Sequence, residues 1–163
     1  MKHQVLEPQL IYLPQTLLVG QRRIMSMADD QTPALWRGFM PRRKEITRRS
    51  GTHYYNVKVH TVPLQDFTPQ SLFEKWAAVK VTDFSDVPQG MEPFILPPGE
   101  YAVFHHQGGA AAFSSTVSYI FGTWLPRSEY LLDARPHFEI LQEHYRPDDP
   151  EAEEEVWIPV RKP

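Results

Sequence analysis

The stretch Arg135-Pro136-His137-Phe138-Glu139-Ile140-Leu141 decides the fold and points to the site. In an extended strand, successive side chains go to opposite faces. Phe138 and Ile140 share one face; His137, Glu139 and Leu141 share the other. Apolar residues on both faces predict a strand at least partly covered on both sides. A carboxylate there loses water, at a cost of several kcal/mol unless it is paired or protonated. Phe, Trp and Tyr make up 12% of the chain, enough aromatic surface to wall a pocket for an organic ligand beside that acid. The other reading is a structural acid paired with a buried Arg or Tyr, such as Arg135.

On the N-terminal side of this strand, Gly108-Gly109 precedes a helical pattern. Phe113, Val117, Ile120, Phe121 and Trp124 fall at i, i+4, i+7, i+8 and i+11, one continuous stripe. Leu125-Pro126 ends it. Residues 92–96 and 101–106 are strand-like, separated by Pro97-Pro98-Gly99. On the C-terminal side come an acidic loop and a last strand, Val156-Trp157-Ile158-Pro159-Val160.

The first half repeats the order. Residues 9–27 are rich in large and β-branched apolar side chains, interrupted by Pro14 and Gly20, and predict a strand with a bend or bulge. Thr32-Pro33 reads as a helix start, with Thr32 at the cap and Pro33 at the first helical position. Leu35, Trp36, Phe39, Met40 and Ile46 follow near helical spacing, with a kink or break due at Pro41. In residues 53–62, Tyr55, Val57 and Val59 alternate with Tyr54, Asn56, Lys58 and His60, the mark of a half-buried strand. Residues 67–71 make a turn, and residues 72–81 a further strand, although Glu74-Lys75-Trp76-Ala77-Ala78 also has helix propensity.

Strand, helix, strand, strand thus occurs twice. The expectation is a single α+β domain spanning 1–163, built of two modules at roughly 1–86 and 87–163. Two main helices would pack on antiparallel sheets, with a ligand groove between the modules. A chain of 163 residues buries roughly 70% of its unfolded surface, so it needs no staple. There is no cysteine, which excludes disulfides and thiolate chemistry and fits a cytoplasmic protein. No apolar stretch approaches the roughly 18 residues of a membrane span. Met1-Lys2-His3-Gln4 is not followed by the apolar core of a signal peptide.

A net charge of −3 argues against a general affinity for nucleic acid. Residues 37–49 hold six basic residues and one acid; residues 148–155 hold six acids and no base. Both runs read as solvated surface. Adjacent His105 and His106 point to opposite faces of a strand, His137 and Glu139 lack a third ligand by spacing, and no HExxH occurs, so neither a metal nor a cofactor is expected. Gly108-Gly109 lacks the P-loop lysine and the GxGxxG spacing. Ser114-Ser115 lacks a nucleophile elbow.

Four stretches together resemble the GyrI-like small-molecule-binding family. They are Pro98-Gly99-Glu100-Tyr101-Ala102-Val103-Phe104, the run from Phe121-Gly122-Thr123-Trp124-Leu125-Pro126 through Tyr130, Arg135-Pro136-His137-Phe138-Glu139, and Glu155-Val156-Trp157-Ile158-Pro159-Val160. In the first half, the run from Leu35-Trp36-Arg37-Gly38-Phe39-Met40-Pro41 to Ile46 adds to the likeness. The resemblance implies two modules related by approximate two-fold symmetry, with an acid in the cleft among aromatic side chains. That acid is Glu139 here. Tyr55, Tyr101, Trp124 and Trp157 are the candidate walls, each with core packing as its other reading. With 163 residues taken up by such a domain, the expectation is a standalone member without a DNA-binding head, as monomer or homodimer.

An ionised Glu139 among aromatic faces attracts a lipophilic cation, and each face adds roughly 0.5–2 kcal/mol of cation–π attraction. The expected function is binding of amphipathic, aromatic or cationic small molecules, as a sensor or sequestering protein in toxin or drug response. A second function is hydrolysis of reactive cyclopropane-type compounds, with Glu139 as the catalytic acid–base group. A third is inhibition of DNA gyrase, the partner that the family name suggests.

Overall fold

The structure, a computed structural model, describes residues 7–163. Met1-Lys2-His3-Gln4 therefore lies outside the described residues. Among the described residues there are nine strands. They are β1 (Gln9–Leu13), β2 (Thr16–Met25), β3 (Tyr54–His60), β4 (Phe73–Lys80), β5 (Glu92–Leu96), β6 (Gly99–Gln107), β7 (Leu131–Leu132), β8 (His137–Leu141) and β9 (Glu153–Arg161). The helices are α1 (Thr32–Phe39), α2 (Gly109–Tyr119) and a last short turn, α3 (Leu125–Arg127). All pairings are antiparallel, in the order β1-β6-β9-β8-β3-β4-β2-β5, with β7 also on β9.

That order is symmetric about the β8–β3 seam. On one side stand β8, β9 and β6; on the other stand β3, β4 and β2. The outermost strands are exchanged: β1 comes from the first half of the chain but pairs with β6, and β5 comes from the second half but pairs with β2. Only Pro14-Gln15 joins β1 to β2, yet these strands lie near opposite ends of the sheet order. Three Cα–Cα steps span at most about 11 Å. Pro97-Pro98 makes the same short jump from β5 to β6. The sheet must therefore roll until its ends meet, and Leu13 of β1, Leu18 of β2 and Leu96 of β5 share one buried cluster inside the roll.

Both helices lie on the other face. Leu35 and Phe39, one turn apart on α1, pack with Tyr54, Phe73, Ala77, Val79 and Leu141. Burying a side chain like Phe39 contributes about 2–3 kcal/mol. Ile120 packs with Ala102, Phe104, Val156 and Ile158 on the second module.

The structure alters several local expectations. Residues 9–27 form two strands rather than one bent strand. Pro14 cannot donate to a ladder, and its carbonyl accepts the Thr16 hydroxyl at 2.8 Å. Thr32 is the first residue of α1 rather than its cap, because Asp30 Oδ1 already accepts the Thr32 amide (3.0 Å) and hydroxyl (2.6 Å). The break due at Pro41 is present: α1 ends at Phe39, and the chain goes on as a tighter 3-10 turn, Met40–Glu45. The stripe on α2 is not one continuous core face. Ile120 to Trp124 widen into a π turn, and only Ile120 of the five stripe residues is fully buried. The helix runs on through Pro126 to Arg127. Among the described residues no helix is long and apolar enough to cross a membrane, and no group of three or more His, Asp or Glu is placed to hold a metal ion.

Candidate ligand-binding site

The seam between the modules is a ladder of facing pairs on the helix side. Tyr54 stands opposite Leu141, Asn56 opposite Glu139, and Lys58 opposite His137. Because β-strand side chains alternate, this places Tyr54, Asn56, Lys58, Leu141, Glu139 and His137 along one groove floor, between the two helices. A cavity of about 500 Å³ opens over the Tyr54 and Glu139 end of the ladder. That volume lies within the usual range for small-molecule sites.

Each wall has a local cause. Trp36 and Met40 line the cavity, one position on from the buried Leu35 and Phe39, so α1 turns one face to the core and the next to the cavity. Ala110 and Phe113 of α2 face them from the other module. Tyr145 and Pro147 close the side beyond β8. Asp30, Lys75, Glu143 and Glu154 add charge to the lining.

Glu139 touches the cavity yet lies deep in the protein. Burial pushes its carboxyl above the usual carboxylate range; Lys75, Lys58 and a hydrogen bond from Asn56 pull it partly back. Trp36 Nε1–H donates to Asn56 Oδ1 at 3.2 Å. That contact commits the amide oxygen and turns the Asn56 NH₂ toward the acid. The chain tryptophan–asparagine–glutamate crosses from α1 to β3 to β8 and holds the carboxyl in place.

Arg135 does not pair with Glu139. Its guanidinium binds Asp133 Oδ2 (2.8 Å) and lies over the Tyr101 ring, 4.7 Å from the centroid. All four candidate aromatic walls also stand outside the cavity lining. Tyr55, Tyr101 and Trp157 have the opposite parity from Glu139 and lie inside the roll, where Tyr101, Trp157 and Phe138 form a cluster with centroids 5.1–5.7 Å apart. The Tyr101 hydroxyl donates to the Pro136 carbonyl at 2.9 Å, and burial pushes both the Tyr55 and Tyr101 phenols up to about 12. Trp124 is on the helix side but packs edge-on to Phe104 (5.1 Å) rather than lining the cavity.

Several residues of the site escaped the sequence reading, among them Trp36, Tyr54, Phe113, Tyr145 and Glu154. Trp36 looked like core alone. Glu154 lay in the acidic run 148–155, read as solvated surface, but it is only 6% exposed. Burial, followed by the nearby Glu139, raises its carboxyl to about 7. Extending the alternation of Val156, Ile158 and Val160 back by two residues places Glu154 on their face, and that was the available signal.

At the other end of the groove, His60 and His137 meet at 4.7 Å between centroids. Phe67 packs edge-on to His60 and Phe121 stacks on His137. Burial holds His60 down to about 4 and His137 down to about 3, so both rings are neutral near pH 7.

Comparison with known proteins agrees with this architecture. The transcriptional regulator BrlR of Pseudomonas aeruginosa is 29% identical over 153 residues, 93% of this chain and 54% of BrlR. The chain thus spans about half the length of that curated relative. SAV2435, solved bound to tetraphenylphosphonium, superposes with a TM-score of 0.75 at 18% identity, over 95% of this chain and 94% of that one. The C-terminal domain of EcmrR gives 0.71 at 17% identity, over 98% and 100%. A hydrolase from Listeria innocua gives 0.58 at 10% identity, over 95% and 92%. At these identities the solved structures share the fold. Residues 6–161 match the GyrI-like small molecule binding domain, and the chain belongs to that family.

Proposed function

We propose that the cavity receives amphipathic aromatic or cationic small molecules, with Glu139 as the counter-charge, and that the protein senses or sequesters such compounds in drug or toxin response. The observation that carries this reading is the placement of Glu139: a carboxyl open to a roughly 500 Å³ cavity walled by Trp36, Tyr54, Phe113 and Tyr145. A lipophilic cation satisfies both features, since its charge relieves the desolvated acid and its apolar body covers the rings. The tetraphenylphosphonium bound by SAV2435 is a compound of that kind. The regulator BrlR, 29% identical, favours a sensing role.

The test is calorimetric titration of tetraphenylphosphonium into the wild type and Glu139→Gln. A hydrogen bond or pair to a charged group is worth about 1.5–3 kcal/mol, so affinity is expected to fall roughly 10- to 100-fold with the fold intact. Equal affinity in both proteins would overturn the role of the acid.

A second reading is supported by the two carboxyls, Glu139 and Glu154, both held above their usual range in one cavity. Such groups suit general acid–base catalysis near neutral pH. The reading is hydrolysis of a reactive cyclopropane-type compound. It requires turnover product from the wild type, lost in Glu139→Gln; unchanged compound recovered after incubation refutes it. Inhibition of DNA gyrase, the third reading, would show in a supercoiling assay without any small ligand.

A further inference from the structure

Glu154 reaches the cavity from β9, and cation binding by Glu139 does not by itself explain it. On the shared face Glu139 stands opposite Val156, and Glu154 stands opposite Leu141, two residues along each strand. Such diagonal neighbours have backbones about 7–8 Å apart, within reach of long side chains. Two carboxylates at that spacing, with little water between them, repel strongly enough to keep one proton on the pair.

The surrounding groups define the balance. Lys75 from β4 favours the charged forms of both acids, and Lys58 from β3 favours that of Glu139. Lys58 is itself weakened, to about 8, by burial and by Lys75. The Tyr145 hydroxyl donates to Glu154 Oε1 at 3.3 Å. Asp30 and Glu143 also line the cavity and oppose further negative charge. His106, beside Glu154 on β6, has both ring nitrogens committed, to the Thr116 hydroxyl (2.7 Å) and the Gly109 carbonyl (2.9 Å). Neither ring nitrogen is left to hydrogen-bond the acid.

We infer that Glu139 and Glu154 act as one proton-holding pair, and that an organic cation enters the cavity in exchange for that proton. The inference rests on the cavity being the cation site. No ligand bond changes: the proton leaves to solvent and the cation takes its place between two carboxylates. The pair titrates across neutral pH, because burial and Glu139 together place Glu154 at about 7. A bound cation favours the charged forms, so the pair holds protons less tightly when the cation is present. By linkage, cation affinity climbs with pH below the titration of the pair and levels off above it.

The experiment is titration calorimetry of the full chain with tetraphenylphosphonium, in buffers of differing ionisation enthalpy. At pH 6.5, roughly 0.5–0.8 proton per bound cation is expected to be released, and affinity should rise roughly 10- to 30-fold between pH 5.5 and 7.5. Glu154→Gln is expected to bind the cation more weakly than the wild type at pH 7.5, through Glu139 alone, and to release almost no proton in that range. Should that variant fold poorly, Tyr145→Phe serves instead: loss of the hydroxyl donor tightens proton binding and moves the affinity midpoint upward. Wild-type binding without proton release overturns the proton exchange and leaves the cation site standing. Absence of binding at every pH overturns the cation site itself. Proton release unchanged in Glu154→Gln, or a midpoint unmoved in Tyr145→Phe, overturns the part assigned to Glu154.

Discussion

Replacing Gly20 with alanine inserts a methyl group where the rolled sheet has no space for one. The new Cβ would lie 2.0 Å from the Ala77 carbonyl oxygen, 2.6 Å from Ala78 Cα and 2.7 Å from Ala78 Cβ. None of these is the end of a flexible side chain. Gly20 pairs with Ala78 on one side and with Glu92 on the other, so β2 is held in the ladder from both edges. Overpacking costs about 1–3 kcal/mol when side chains can adjust, and the upper end applies where backbone must move. A chain of 163 residues has a melting entropy of about 340 cal/mol/K. A loss of about 3 kcal/mol therefore lowers the melting temperature by about 9 °C. The assay is a calorimetric melt of the wild type, Gly20→Ala and a control, Gly122→Ala, whose added Cβ meets nothing within 4 Å. The control is expected to melt unchanged or slightly higher, since alanine gains up to about 1 kcal/mol over glycine inside a helix. A Gly20→Ala melt within about 1 °C of the wild type would refute the argument that β4 lies too close to Gly20 to admit a side chain there.

Two further outcomes follow from buried titratable groups. Glu154 has a folded value of about 7 against an ordinary 4.5. The folded protein thus binds more protons than the unfolded chain between those values, and its stability falls as pH rises through that window. Glu154→Gln removes the penalty: it should be more stable than the wild type at pH 8 by about 1–3 kcal/mol, with the gap closing by pH 5. Parallel urea-stability curves at both pH values would refute this. His60 and His137 shift the other way, below an ordinary 6.5. The unfolded chain takes up protons first as pH falls from about 6.5 toward 4, so the wild type loses stability there. His137→Phe, which keeps an aromatic ring against Phe121, should show a shallower acid limb in urea melts between those pH values; an unchanged slope would count against the burial of the pair.

How much of this was legible in the sequence depends on what each residue can signal. The alternation in β8 placed Glu139 and Leu141 on one face and Phe138 and Ile140 on the other, and the structure keeps that division. Alternation cannot say which face receives the helices. Tyr55 and Tyr101 carried the same local pattern as true walls, but their parity sends them inside the roll. Trp36 and Tyr54 wall the cavity beside the acid; Trp36 was hidden as an ordinary core aromatic of the first helix, and Tyr54 among the polar-side residues of a strand read as half-buried. Glu154 was hidden by its neighbours: Glu153 is exposed and Glu155 only half-buried, so the cluster resembled a solvated run. The exchange of β1 and β5 left no mark in local pattern, since pairing partners are fixed by the whole sheet.

That exchange governs what happens if the chain is cut. A break in the link between β4 and β5 leaves an N-terminal piece that lacks β5, the strand covering the outer edge of β2. The C-terminal piece lacks β1, which covers β6. Each fragment carries the missing rim of the other. Two severed pieces would clasp like linked hooks, and a single piece would seek the same clasp from a foreign strand. The short links at the two crossings, Pro14-Gln15 and Pro97-Pro98, keep those hooks within one molecule.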